Sequence, residues 1–505
     1  MPPRSRASAA RRGAGSSSRP TPAHWVQVWA LSLAVGALYL THSLLRFRNF
    51  EAKGYDLGIF DQAMRQYAQF REPLVAIKGL DFNLLGDHFH PLIALLAPFY
   101  WLWPDPRMLG VLLIALLLAG VPPVYLFSRR RLGHVSGLLV VGVLLLFWPF
   151  QAIVNWDFHE IALAVPLIAW ILYCLDTKRF TAVCWLSLPL LGIREDLGAT
   201  VFAIGLVLLL KRQWRRGALL AVVGLAGFAV IYGWLMPALR PADGRNYFEY
   251  STLGPTVGAA AVAAVTHPWR VVGIMFNHPL KWLWWVISFV PFGLLSLASP
   301  YVIIAAPIIA TRMLSDRLNV WAPVYQYDSV LLPILLLAFV DTLARIIQRT
   351  GKRRLAVIGP AVPLVISLVG TLAIPAIFPL QRTVTGADWS MPEHARAQQR
   401  AVDMVPSGVC VEATDTAVPH LSNRSYVSLF EGMGDTLASW AIVDTTVQEM
   451  GGWDYPKPAA MLARAKKLGF TVVSKDDDGI WVLHRDIPVD AICRDYVPYQ
   501  GAPHI

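Results

Sequence analysis

Residues 129–160 read RRRLGHVSGLLVVGVLLLFWPFQAIVNWDFHE. Three arginines lead into an apolar run, 135–151, which closes near Trp148 and gives way to Asn155, Trp156, Asp157, His159 and Glu160. A membrane-crossing helix needs about 20 mainly apolar residues. Basic residues collect on its cytoplasmic side, and Trp collects at the interfaces. The stretch therefore predicts one crossing that starts in the cytoplasm and ends outside in a cluster of ionisable residues.

The rest of the chain repeats this pattern. Of its 505 residues, 55% are hydrophobic and 15% charged, against about 25% charged in a soluble domain. Mean hydropathy is +0.49. These values exclude a string of soluble domains, a disordered chain and collagen, and four cysteines exclude a disulfide-built scaffold. Further apolar runs at 25–45, 107–127, 159–175, 180–193, 197–210, 217–239, 282–298, 300–313, 328–347 and 355–378 bring the expected number of transmembrane helices to about eleven. The run 91–103 starts at Pro91 and stops before Pro104, and its length suits an interfacial helix better than a crossing.

Charge sets the expected orientation. With a cytoplasmic N-terminus and eleven crossings, the inner segments hold 19 of the 44 basic residues, and Asp176 and Asp341 are the only acids beside them. Residues 1–24 carry five arginines among Ser, Ala, Gly and Pro, the composition of a disordered cytoplasmic tail. The apolar run that follows lacks a small-residue cleavage site, which argues against a secretory signal. The net charge of +11 then belongs to the lipid-facing cytoplasmic surface, and no nucleic-acid partner is expected. The reading is a multi-pass protein of the plasma membrane, with membrane lipids as its surroundings.

Residues 25–379 form the expected transmembrane domain, with a large first outer loop at 46–106 and further outer connections at 240–281 and 314–327. Residues 380–505 read as a small extracytoplasmic α/β domain. It has helices at 393–404 and 458–468, and strands at 409–412, 426–430, 440–443, 470–473 and 480–483. Asp477-Asp478-Gly479 marks a hairpin turn, and Gly469 a helix stop. The domain has no Gly-rich phosphate loop, so it predicts no nucleotide site. Cys174 and Cys184 fall in spans as small core residues. Cys410 and Cys493 share an oxidising compartment, where a disulfide and a pair of free thiols are both open.

Ionisable residues gather at the outer helix ends, where their cost next to the membrane makes them functional candidates. Asp56 is the first choice for a catalytic base, since Leu57, Ile59 and Phe60 give it an apolar setting, and Asp87 and His88 are its expected neighbours. Asp61 is the competing choice, although Arg65 one turn on offers it a helical ion pair. Asp157 and Glu160 have the spacing of a capping box, and Asp196 that of a helix cap. On an extended backbone His88 and His90 point the same way, so with Asp87 they could hold a divalent metal or a phosphate. Arg194 has two readings, a grip on a donor phosphate and a salt bridge to Glu195, Asp196 or a neighbouring loop acid. Tyr55, Gln62, Asp87, His88, His159, Arg194 and Glu195 make up the expected substrate-contacting set.

The motifs Tyr55-Asp56-Leu57-Gly58-Ile59-Phe60-Asp61-Gln62, Gly86-Asp87-His88-Phe89 with Pro91, Asp157-Phe158-His159, Glu195-Asp196 and Pro419-His420-Leu421-Ser422-Asn423-Arg424 resemble a bacterial and archaeal membrane-protein family, domain of unknown function 2079. The likeness runs from about residue 40 to 485. His90 stands where a small polar residue is expected in that family, and Arg194 where a lysine is. The family in turn resembles the GT-C superfamily of integral-membrane glycosyltransferases. The resemblance implies a cytoplasmic N-terminus, about 11–13 spans, a catalytic Asp or Glu in the first outer loop and a soluble C-terminal domain outside. It also implies a sugar donor carried on polyprenyl phosphate. The expected function is transfer of that sugar to an envelope glycan, lipid or protein at the outer membrane face, with a divalent metal as the candidate cofactor. One alternative is a transporter or flippase of lipid-linked intermediates. Inverted repeats and mid-membrane charges would mark it, and the sequence has neither. The other is a non-catalytic envelope assembly protein that uses its tail domain for binding.

Overall fold

The computed structural model describes residues 19–241, 248–447 and 457–496, so most of the basic tail expected over 1–24 lies outside the described residues. Among the described residues, six helices are long and apolar enough to cross a membrane: Pro22–Arg48, Arg107–Leu132, His134–Asn155, Trp214–Leu239, Leu318–Thr350 and Leu355–Ala373. The other five expected spans are helical but shorter. They appear as Ala164–Asp176, Phe180–Ser187, Leu197–Leu210, Pro279–Phe289 and Val302–Met313. Two of them end at backbone breakers, and Leu197–Leu210 and Val302–Met313 keep close to the expected length. Pro189 opens a tight turn after Ser187, Pro307 lies inside Val302–Met313, and the chain turns left-handed at Gly293 and Leu294 after Phe289.

Residues 240–281 differ more from expectation. They include two apolar helices, Val257–Thr266 and Pro268–Met275, which meet at 103° and would make a seventh span if taken together. His267-Pro268 breaks the pattern there, because the residue before a proline is pushed out of helical conformation. The run 91–103 folds as a tight Pro91–Leu96 turn and the short helix Phe99–Leu102, with Leu95 and Leu102 exposed, in keeping with an interfacial segment. Leu219, Val222 and Leu225 on one long helix, and Val365, Val369 and Leu372 on another, present an apolar outer surface suited to lipid.

The basic segments meet at one end of the bundle. Arg131 pairs with Asp176 and, at 3.3 Å, with Asp341, while Arg130 reaches Asp176 and Arg345 reaches Asp341, each at 3.2 Å. The two acids read as belonging to this side are the ones that neutralise it.

The tail carries a five-stranded sheet: β1 Cys410–Ala413, β2 Tyr426–Ser428, β3 Trp440–Asp444, β4 Thr471–Lys475 and β5 Ile480–His484. All five match the predicted strands within two residues. The strand order is β2-β1-β3-β5-β4. β1 runs parallel to β2 and β3, and β5 pairs antiparallel with β3 and β4. Helix Glu393–Met404 packs on β3 and β5. Cys410 and Cys493 are disulfide-bonded across a separation of 83 residues, which closes the question left open by the sequence.

The sheet docks on the first long loop. The His420 ring stacks on Phe50 at 3.7 Å and meets Phe47 at 4.2 Å. Gln62 Nε2 donates to the Val427 carbonyl at 2.7 Å.

Candidate active site

Where the long loop, the helix ends and the tail domain converge, they enclose a cavity of about 580 Å³. Asp56 enters it from a single π-helical turn, Gly54–Gly58, whose wider winding sets it apart from the α-helix that continues from Ile59. Its Oδ1 lies 3.3 Å from His159 Nε2, and the Asp56 side chain keeps 24% of its exposure. His159 also meets the Gln326 side-chain nitrogen at 3.0 Å. The turn before His159 is fixed by Asp157, which adopts a left-handed conformation with φ of 64° and pairs with Arg46 at 3.2 Å. Asp157 is therefore an anchor and not the cap that its spacing from Glu160 suggested. Phe158 between them is buried against Phe60.

A second group closes the cavity through Glu195. Its Oε1 lies 2.8 Å from His88 Nδ1, and its Oε2 accepts from the Phe89 backbone N–H at 3.0 Å. Partial loss of solvent works against a charged His88, whose side chain still keeps 49% of its exposure, but the Glu195 carboxylate outweighs it and pushes the imidazole up to about 9. Burial would likewise raise Glu195, yet the His88 charge wins and holds the carboxyl below its usual range. Gly86 is required just before, since a Cβ there would lie 2.7 Å from the Leu239–Arg240 backbone.

Arg194 is already engaged. Its Nε donates to Asp196 at 2.7 Å, and Glu160 lies 3.7 Å from its Nη1. The salt-bridge reading of this residue is thus formed, with Asp196 and Glu160 as its acids. Arg312 offers more to an anion. It is 2% exposed and donates from Nη1 to Asp328 at 2.7 Å, while its Nε and Nη2 are buried without a protein partner. Buried polar nitrogens nearly always have a partner, and these two, on a residue that lines the cavity, have none among the described residues and are themselves closed off from solvent. Tyr327 lies within 6 Å of both guanidinium groups, 5.8 Å from Arg312 and 5.9 Å from Arg194. Lys53, Arg240 and Arg317 add positive charge to the wall, and Phe228, Met236, Leu253, Val257, Ala260 and Ala264 form an apolar side.

Tyr55, Asp56, Asp87, His88, His90, His159, Arg194 and Glu195 all line the cavity. Asp61 and Gln62 do not. Asp61 is fully buried, paired with Arg65 at 3.0 Å and accepting from the Tyr100 hydroxyl at 2.8 Å, so the ion-pair reading holds for it. Gln62 ties the loop to the tail domain. The expected neighbours of Asp56 also change, because Asp87 pairs with Lys78 and His88 with Glu195. His90 is buried against Phe60 at 5.8 Å. Asp87, His88 and His90 thus do not form a ligand set, and among the described residues no three His, Cys, Asp or Glu side chains gather into one.

Sequence reasoning passed over Arg312, Arg240, Lys53 and Asp415. Arg312 had a signal, since it is the one charge in the apolar run 300–313. Asp415 had none.

A family model described as a predicted membrane protein, DUF2079, matches residues 46–457. No curated protein matches the chain in sequence. Among solved structures, ArnT from Cupriavidus metallidurans bound to undecaprenyl phosphate is similar with a TM-score of 0.54 at 14% identity, covering 92% of this chain and 98% of that one. The apo state of the same protein gives 0.51 at 14% identity, over 91% and 98%. An Archaeoglobus fulgidus oligosaccharyltransferase gives 0.39 at 11%, over 92% and 75%. At such identities the likeness to ArnT speaks for the fold alone.

Proposed function

Since the chain belongs to the DUF2079 family of predicted membrane proteins and shares its fold with a GT-C glycosyltransferase, we propose that it is itself a membrane glycosyltransferase. It takes a sugar from a polyprenyl-phosphate donor and passes it to an envelope acceptor at the outer membrane face. The supporting observation is the cavity lined by Asp56, a carboxylate with an imidazole partner, by Arg312, whose Nε and Nη2 have no protein partner, and by an apolar wall. A base, an anion site and a hydrocarbon-compatible side are what a prenyl-phosphate sugar and a hydroxyl acceptor require.

In the proposed step the acceptor oxygen attacks the anomeric carbon and forms the new glycosidic bond. The bond from that carbon to the phosphate oxygen breaks, and its electron pair leaves with the prenyl phosphate. Asp56 takes the acceptor proton. Arg312 receives the developing phosphate charge through Nε and Nη2, with Arg240 and Lys53 adding to the field. His159 holds the Asp56 carboxylate in place. The concentration of basic segments at the opposite end of the bundle supports a cytoplasmic N-terminus and an outward cavity.

The test uses a strain lacking its own copy, with lipid-linked sugars and envelope glycans compared after complementation. Asp56→Asn is expected to lower turnover about 10²–10⁴-fold while the protein still inserts and binds undecaprenyl phosphate. Near-parental turnover by Asp56→Asn would refute the base assignment.

A further inference from the structure

The tail domain does more than sit on the bundle. Asp415 lies two residues beyond the carboxyl end of β1, and β1 stands between its two parallel partners, β2 and β3. Open α/β sheets hold ligands at such a switch in strand order. Here that point meets the first outer loop and the cavity. The Asp415 carbonyl accepts from the Gly54 N–H at 2.8 Å, and its Oδ1 accepts from the Tyr55 N–H at 2.9 Å. These are the first two amides of the turn that carries Asp56, and the start of a helix leaves such amides unpaired unless something outside caps them. Asp415 also lines the cavity and is buried. The fit is close, since a Cβ at Gly54 would come within 2.6 Å of Val418 Cβ.

We propose that Asp415 is a positioning residue supplied by the tail domain, clamping the Gly54–Gly58 turn so that Asp56 faces His159 and the cavity. The proposal rests on Asp56 being the base. Burial raises the Asp415 carboxyl to about 6 despite the amide it accepts from, and the clamp itself needs only an acceptor oxygen at this position.

The clamp is tested in the full-length protein by amide hydrogen exchange. Asp415→Ala removes the Oδ1 acceptor, and Gly54→Ala wedges the two surfaces apart from the other side. Both are expected to speed exchange over residues 54–60 while the β1–β3 peptides stay protected. Asp415→Asn keeps an acceptor oxygen and should exchange like the parent. Turnover of lipid-linked sugars should fall about 100-fold in the two alanine variants, the cost of misplacing a reacting group by about 1 Å, and stay near parental in Asp415→Asn. Unchanged exchange over 54–60 in both alanine variants would overturn the clamp. So would an Asp415→Asn protein with a protected turn and a turnover as low as Asp415→Ala, since Asp415 would then act on the substrate and not on the turn. Exchange is read without substrate, so a normal Asp56→Asn turnover would sink the base assignment and leave the clamp to be judged separately.

Discussion

Replacing Arg312 by lysine separates the two arginines that face the cavity. Arg312 spends Nη1 on Asp328, which is itself buried, and keeps Nε and Nη2 without a protein partner, so a small shift of the side chain would turn them to a phosphate on the proposed reading. A lysine has one ammonium, which must choose between Asp328 and the ligand. The variant therefore loses one or two charge-assisted hydrogen bonds, at about 1.5–3 kcal/mol each. A net loss of about 2–4 kcal/mol corresponds to a Kd raised about 30- to 700-fold. Alanine is the poorer probe, because it strands the buried Asp328 carboxylate and costs about 3–5 kcal/mol of stability. The assay is calorimetric titration of purified protein in detergent with undecaprenyl phosphate, alongside Arg194→Lys. Arg194 is already held by Asp196 and Glu160, so its lysine variant should bind near the parental affinity. Parental affinity in Arg312→Lys would refute the anion site, and a greater loss in Arg194→Lys would move it to Arg194.

Folding raises the His88 pKa to about 9 from an ordinary 6.5, so the His88–Glu195 pair stabilises fully below about pH 6.5 and loses its effect as pH rises through about 9. The Tm difference between parent and His88→Gln should follow that course, and a difference constant from pH 5 to 10 would contradict it. Cys410→Ser should abolish a mobility shift on non-reducing gels and weaken the tail domain by about 4.5 kcal/mol, the chain-entropy value for a loop of this span. Alkylation of both thiols in unreduced protein would refute the bond. Cysteines introduced near Gly79 should be labelled from outside the cell, and those near Arg130 or Arg353 should not. Outside labelling at Arg130 would reverse the orientation drawn from charge.

The apolar runs and the five strands were legible because each carries its own period or composition. The count of crossings was harder, since Pro189 and the Gly293-Leu294 turn shorten helices without changing their hydropathy. The helices around His267-Pro268 were hidden by the same kind of break. Within the site, Asp61 with Arg65 was a local pair, four residues apart, and could be read from spacing. Asp56 with His159, Glu195 with His88 and Asp415 with Tyr55 join segments at least 100 residues apart, and nothing in the spacing of a single chain encodes such meetings. Arg312 lay between, visible as a charge in an apolar run but without a hint of the cavity beside it.

The bond between Asp415 and Tyr55 spans 360 residues of chain. At about 5–20 residues per second of synthesis, the loop that bears Asp56 emerges roughly 20–70 s before the strand that holds it. During that interval the loop lies at the membrane with its turn uncapped and its carboxylate unaimed. Asp415 lies in the last fifth of the polypeptide, so on the proposed reading a nascent chain already inserted in the membrane is a scaffold that still awaits its clamp.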